Sequence, residues 1–315
     1  MVITTNIYDI KIYYIAILLH ENIKKILMRN IYKIPGYILL LFGGFCLSWG
    51  GLIIRQFEEA GVWGILLLRS FFFLIALIIF LFITYKKNAV KKIAESGLPA
   101  IIGGFFLSLS FVAYTFGITH TSVANVVFII STQTMFLAIF GYFFLKEKIS
   151  LIGFISIVFA MVGISIMVGD SITTDSLFGN LVSLAIPINF TILVIIIRKN
   201  PKLDMVPAIF YAGVFGCIYG LLLSETLTFT SYDILMGFVL GVPQLAFGFI
   251  CITIGSKTTK AVTVGILMLT ETLCAPLWVW LFLNEIPPFS VFIGGLIIIL
   301  AVIIKTFDKN KQITN

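Results

Sequence analysis

One carboxylate stands where the chain is otherwise apolar. In the stretch 261–285, AVTVGILMLTETLCAPLWVWLFLNE, Glu271 lies ten residues in, between Thr270 and Thr272. A charge at the centre of a bilayer costs roughly 2.5–3.5 kcal/mol on insertion scales, so such a group faces a cavity or a partner. A carboxylate there suits proton binding. Pro276 follows about one turn later; it lacks a backbone donor and is expected to loosen the helix beside a polar site. Arg69 sits about 10 Å inside its own apolar run, from seven residues at about 1.5 Å each. It can snorkel outward, clamp two helices or hold a substrate carboxylate bidentately.

The amides of Asn125, Gln133, Asn189 and Gln244 also fall within apolar runs. Amides are hard to hide in lipid and should face the interior of a bundle. With Trp49 and Tyr114 they are the softer pathway candidates. Serine and threonine are discounted, because their hydroxyls can bond their own helix backbone. Pro187 and Asn189 together suggest a second interrupted helix. Glu147 and Glu285 each end an apolar run. They serve either as helix-end structure or as a gate between bundles.

Other chemistries find little support. Cys46, Cys217, Cys251 and Cys274 all lie in apolar runs without metal-ligand spacing, so neither a disulfide nor a metal site is expected. No phosphate-binding glycine loop suggests that ATP drives anything. An intramembrane enzyme would need a paired acid and base or a nucleophile constellation. Two histidines near loops and one mid-run carboxylate do not supply it, and no cofactor is expected. The net charge of +7 is spread over short connections, which points to membrane topology, with no nucleic-acid partner.

The elements that must position these residues are membrane helices. Hydrophobic residues make up 60% of the chain and charged residues 11%, against roughly 45–50% and 25% in soluble domains. Mean hydropathy is +1.13. The runs are continuously apolar, without the alternation of a barrel. An all-α membrane protein follows, embedded in the lipid bilayer, with ten transmembrane helices near 36–55, 62–84, 97–118, 122–145, 149–168, 177–198, 205–224, 233–254, 261–283 and 289–307. Residues 1–35 read as a basic amphipathic head on the inner surface, with Met28 an alternative start; 308–315 are a short tail.

Basic residues orient the spans. Lys11, Lys24, Lys25, Arg29 and Lys33 precede the first. Lys86, Lys87, Lys91 and Lys92, then Lys146 and Lys148, then Arg198, Lys199 and Lys202, then Lys257 and Lys260 fill alternate loops. Lys305, Lys309 and Lys311 end the chain, which makes 19 of 21 lysines and arginines on one side. Both termini are therefore expected in the cytoplasm.

The chain also repeats itself. Shifting 261–285 back by 138 residues places it on 123–147, VANVVFIISTQTMFLAIFGYFFLKE. Gly255 then matches Gly117, Thr270 matches Thr132, Thr272 matches Thr134, and Glu285 matches Glu147. Glu271 falls on Gln133. Two five-helix repeats, 36–168 and 177–307, are expected. Five spans is an odd number, so the second copy enters from the opposite side. The repeats are inverted, as alternating access requires.

These residues resemble the EamA-type permeases of the drug/metabolite transporter superfamily over about 36–307. Leu47-Ser48-Trp49-Gly50 is like that family's early Trp-Gly, and Leu68-Arg69-Ser70-Phe71 is like its second-span arginine. Phe144-Leu145-Lys146-Glu147 is like its Leu-Gly-Glu span end, and Gly179 through Lys199 is like the start of its second repeat. Glu271 takes the Glu of its Glu-Pro element. Departures are Thr134 and Thr272 where the family has proline, and Asn284 where it has glycine. The resemblance implies a secondary transporter for a small polar metabolite or amino acid in the bacterial inner membrane, working as proton-coupled efflux or exchange. An uptake carrier of the same fold and a non-transporting scaffold are the alternatives.

Overall fold

The computed structural model describes residues 31–121, 123–168, 177–224, 226–283 and 289–306, and among them no strand occurs. Most of the expected head, with Met28, lies outside the described residues. So do the tail, Glu285 and Asn284. Long runs of Leu, Ile and Phe can satisfy their backbone groups in lipid only as helices, and that is what forms.

The helices are α1 (Gly36–Leu47), α2 (Gly50–Ile54), α3 (Val62–Tyr85), α4 (Ala89–His120), α5 (Val123–Ser131), α6 (Gln133–Leu145), α7 (Leu151–Val168), α8 (Leu177–Ser183), α9 (Ala185–Lys199), α10 (Val206–Leu223), α11 (Ser231–Val239), α12 (Phe247–Thr258), α13 (Ala261–Leu283) and α14 (Phe289–Thr306). A π-helical segment, Leu240–Ala246, joins α11 to α12. Seven segments are long and apolar enough to cross a membrane, and Leu151–Ile166 and Phe292–Lys305 are shorter apolar helices. One of the seven, Val62–His120, carries a tight turn at Lys86–Asn88 and a kink at Gly97, whose φ is 56°.

Local signals set the ends. Pro35 stands just before α1, and Pro207 lies in the first turn of α10, where a missing amide costs nothing. Thr230 and Asp233 form a capping box on α11. The buried Asp233 carboxylate also accepts from the amides of Glu58 at 2.8 Å and Glu59 at 3.3 Å, so it pins the α2–α3 connection to α11.

Packing is mostly between early and late elements. α1 packs on α12 and α13; α9 packs on α4 and α6; α3 packs on α10 and on the π-helical segment; α4 also packs on α10; α6 meets α13; α7 meets α14. Small residues allow the close crossings. A Cβ on Gly104 of α4 would lie 2.5 Å from the Ala208 carbonyl oxygen of α10, so only glycine lets these backbones touch. The four cysteines are free thiols inside the bundle.

Candidate functional site

Besides the kink at Gly97, four interruptions occur among the described residues, and each adjoins residues that line one space. α1 and α2 break at Ser48-Trp49, α5 and α6 at Thr132, and α8 and α9 at Leu184; the fourth is the π-helical turn around Pro243 and Gln244. Broken backbone at membrane depth is tolerated where it lines a cavity, and π-turns recur at functional sites. Pro276 leaves α13 continuous from Ala261 to Leu283. The helix was expected to loosen there; the interruptions fall elsewhere, and two of them, Ser48-Trp49 and Thr132, contain no proline.

The central cavity is walled by Arg69, Tyr114, Gln133, Gln244 and Glu271, with Ser110 and apolar side chains such as Phe111, Phe249 and Met268 between them. It measures about 50 Å³ to the centres of the waters it could hold, room for roughly four waters. Five sequence candidates thus share one chamber. The space exists partly because Gly50 has no side chain. A Cβ there would lie 2.5 Å from the Tyr114 hydroxyl and 2.9 Å from Gln244 Nε2.

Arg69 is 2% exposed. Its Nη1 donates to Thr115 Oγ1 at 3.1 Å, and its guanidinium lies over the rings of Phe111 and Tyr114, 5.0 and 5.4 Å from their centroids. Such cation–π contacts contribute about 0.5–2 kcal/mol each. Its Nε has no partner. Glu271, which also lines the chamber, is half-buried, and it makes no hydrogen bond or ion pair among the described residues. The two charges therefore share a cavity without pairing. α3 and α13 are not packed neighbours: α3 meets the π-helical segment, and α1 stands between that segment and α13. A direct Glu271–Arg69 pair, which would neutralise both charges, is absent.

Gln244 donates from Nε2 to the Leu47 carbonyl at 3.0 Å, a group released by the break after α1, while its Oε1 lacks a partner. Gln133 opens α6 and makes no hydrogen bond among the described residues. Asn189 is buried on α9 beside Ile186 and Phe190, which line the chamber, but is not itself on its wall. Asn125 lies away from it. Its amide donates to Thr121 Oγ1 at 3.0 Å and Asn180 Oδ1 at 3.2 Å, tying α5 to α4 and α8. Trp49 sits at the first break, its Nε1 without a partner. It contacts Phe45 and Trp278 at 6.2 and 5.5 Å between centroids, and Trp278 Nε1 donates to Ser48 Oγ at 2.7 Å. Trp49 also packs against an apolar cluster containing Ile53, Ile65, Ile118, Val126 and Leu240.

At the Glu147 end the helices are fastened by charge. α6 stops because Lys146 adopts the left-handed conformation, φ 55° and ψ 29°, and both Lys146 and Glu147 return their amides to the Gly141 carbonyl. The turn aims Glu147 back into the bundle. Its Oε1 accepts from Arg198 Nη2 at 2.5 Å and Nε at 3.2 Å, and its Oε2 accepts from the Ala261 amide at 2.8 Å. Arg198 Nη1 donates to the Lys257 carbonyl at 3.1 Å. One ion pair thus joins the ends of α6, α9, α12 and α13. Elsewhere, Tyr85 donates to Asp204, and Tyr32 and Tyr85 share a 2.5 Å hydrogen bond.

Sequence reasoning missed Arg198, Ser48, Thr115 and Trp278. Arg198 looked like a topology charge, since its partner is 51 residues away. Thr115 does bond its own backbone, donating to Phe111 O at 3.0 Å, but its oxygen accepts from Arg69 as well. Asp233 did carry a signal, the Thr-x-x-Asp pattern at 230–233.

The model of the EamA-like transporter family matches twice, over residues 34–169 and 177–307. The chain belongs to the EamA-like transporter family. It is an integral membrane protein. A curated relative from Clostridium kluyveri, described as an uncharacterized transporter, is 27% identical over 301 residues, covering 88% of this chain and 94% of that one. A solved crystal structure superposes with a TM-score of 0.70 over 86% of this chain and 98% of its own, at 13% identity. At that identity the likeness concerns the fold alone.

Proposed function

We propose that this family member is a secondary transporter that carries a small polar metabolite or amino acid through the central chamber by alternating access, with Glu271 as its proton-binding group. The observation that carries this is a carboxylate left without a partner in the chamber that also holds the barely exposed Arg69. An unpaired ionisable group inside a membrane is expensive and is kept for function. Such a group can take a proton or a substrate cation, and Arg69 can meet a substrate anion. The chamber, as small as a few waters, suits a contracted state of the cycle.

Ten spans in two inverted halves suit the packing. Val62–His120 divides in two at its turn, and the two shorter apolar helices complete the set. If the halves exchange, α1 on α12 becomes α9 on α4, and α1 on α13 becomes α9 on α6. The pairs α3–α10, α6–α13 and α7–α14 map onto themselves. A two-fold axis in the membrane plane would produce these matches. The basic connections favour a cytoplasmic side for the Glu147 end and both termini, in a bacterial inner membrane. Asp175→Cys should then react with an impermeant thiol reagent in intact cells, and labelling at Lys87→Cys instead would reverse the orientation.

Purified protein in proteoliposomes, offered a panel of labelled amino acids and small polar metabolites across an imposed pH gradient, tests the function. Saturable flux that responds to the gradient is expected. Absence of flux for the whole panel with intact, folded protein would favour a scaffold.

A further inference from the structure

A second, smaller pocket lies at the Glu147 end, outside the chamber. Lys148, Ser150, Lys260, Thr263 and Lys305 line it together with Glu147. Its free space is about 10 Å³ to water centres, room for about one water-sized oxygen. The three lysines come from three connections: just after α6, just before α13, and the end of α14. Two long helices also begin here, α7 with 18 residues and α13 with 23. Each brings the positive end of its dipole. Lys305 Nζ stands 3.6 Å from where a Cβ on Gly153 would be, over the first turn of α7. Among the described residues the only carboxylate on the wall is Glu147, which is already bound to Arg198 and the Ala261 amide. Lys148 and Lys260 form no ion pair among the described residues.

We infer that this pocket binds the phosphate group of an anionic lipid headgroup. One phosphate oxygen fits the pocket, and the remaining oxygens meet the lysine amines at its rim. The surroundings favour a lipid over a soluble phosphate. Ile149, Leu151 and Ile152 beside Lys148, and Ile303 and Ile304 beside Lys305, are exposed large apolar side chains. On a membrane bundle they give acyl chains a surface directly next to the charge. The site also touches the charged fastening, because Glu147 lines this pocket and holds Arg198. A phosphate here repels the Glu147 carboxylate and weakens its hold, so headgroup binding favours opening of this end. That consequence for transport rests on the transporter reading; the binding itself does not.

The test uses the full chain purified in detergent, titrated separately with phosphatidylglycerol, phosphatidylcholine and inorganic phosphate, with thermal unfolding and native mass spectrometry as readouts. Phosphatidylglycerol should bind saturably and raise the unfolding temperature, and phosphatidylcholine should not. Lys148→Gln with Lys260→Gln should weaken phosphatidylglycerol about 30-fold. Lys33→Gln with Lys87→Gln removes the same charge elsewhere and should leave binding within about threefold. Protection by inorganic phosphate that is lost in the first double variant would keep the phosphate site and make its natural ligand soluble. Equal binding of phosphatidylglycerol to the wild type and both double variants, with no effect of phosphate, overturns the site. None of these readouts depends on transport, so a failed flux assay leaves them informative.

Discussion

The middle of the bundle and its Glu147 end each hold one carboxylate and one arginine, in opposite arrangements. At the end, Glu147 and Arg198 are joined at 2.5 Å, and both are further satisfied by backbone groups of neighbouring helices. In the middle, Glu271 and Arg69 line one chamber unjoined, and Arg69 leans on aromatic faces and a threonine. The paired carboxylate is held in place by three hydrogen bonds. The unpaired one can exchange a proton or ligand without first breaking a bond. The same two residue types thus make a fastening in one place and line a cavity unjoined in the other.

The sharpest test of that contrast is a pair of double-mutant cycles on thermal or denaturant stability. Glu147→Gln should destabilise by about 3 kcal/mol by stranding Arg198, and the Glu147/Arg198 coupling should be about 2 kcal/mol. Glu271→Gln should be neutral or slightly stabilising, because it removes a costly charge, and its coupling to Arg69 should stay below about 0.5 kcal/mol. Equal couplings at the two sites would erase the distinction. Next in size is Gly50→Ala, which pushes a methyl into Tyr114 and Gln244. It should cost about 1–3 kcal/mol in stability and reduce any substrate affinity of the chamber; unchanged binding would mean that the chamber wall is not where ligand sits. The smallest effect should come from Lys146→Gly. Relieving the left-handed strain should stabilise by about 1 kcal/mol, and a lower unfolding temperature would show that Lys146 itself holds the turn.

Much of the middle was legible in the sequence, because a polar residue in an apolar run has few places to go. Glu271, Arg69, Tyr114, Gln133 and Gln244 stand out against Leu, Ile and Phe, and they converge. Asn125 stood out equally and turned elsewhere, since Thr121 and Asn180 satisfy its amide. The fastening was not legible. Arg198 lies among basic residues that mark topology, and nothing in its spacing from Glu147 announces contact. The interruptions were only partly legible. Proline flags Gln244's turn and the start of α9. At the other two breaks the hydroxyls of Thr132 and Ser48 bond back to the Ile129 and Phe45 carbonyls at 2.6 Å. Ser108 and Thr270 bond back in the same way where their helices run on unbroken, so these hydroxyls give no distinguishing signal.

The central claim is that the Glu271 carboxylate, free in the chamber, couples transport to protons. Its most direct test is Glu271→Gln in proteoliposomes loaded with a transported substrate, with flux measured as the external pH is stepped. The variant should fold and insert as the wild type does, and its flux should no longer respond to pH. A native rate with the native pH response would show that the carboxylate is only part of the packing.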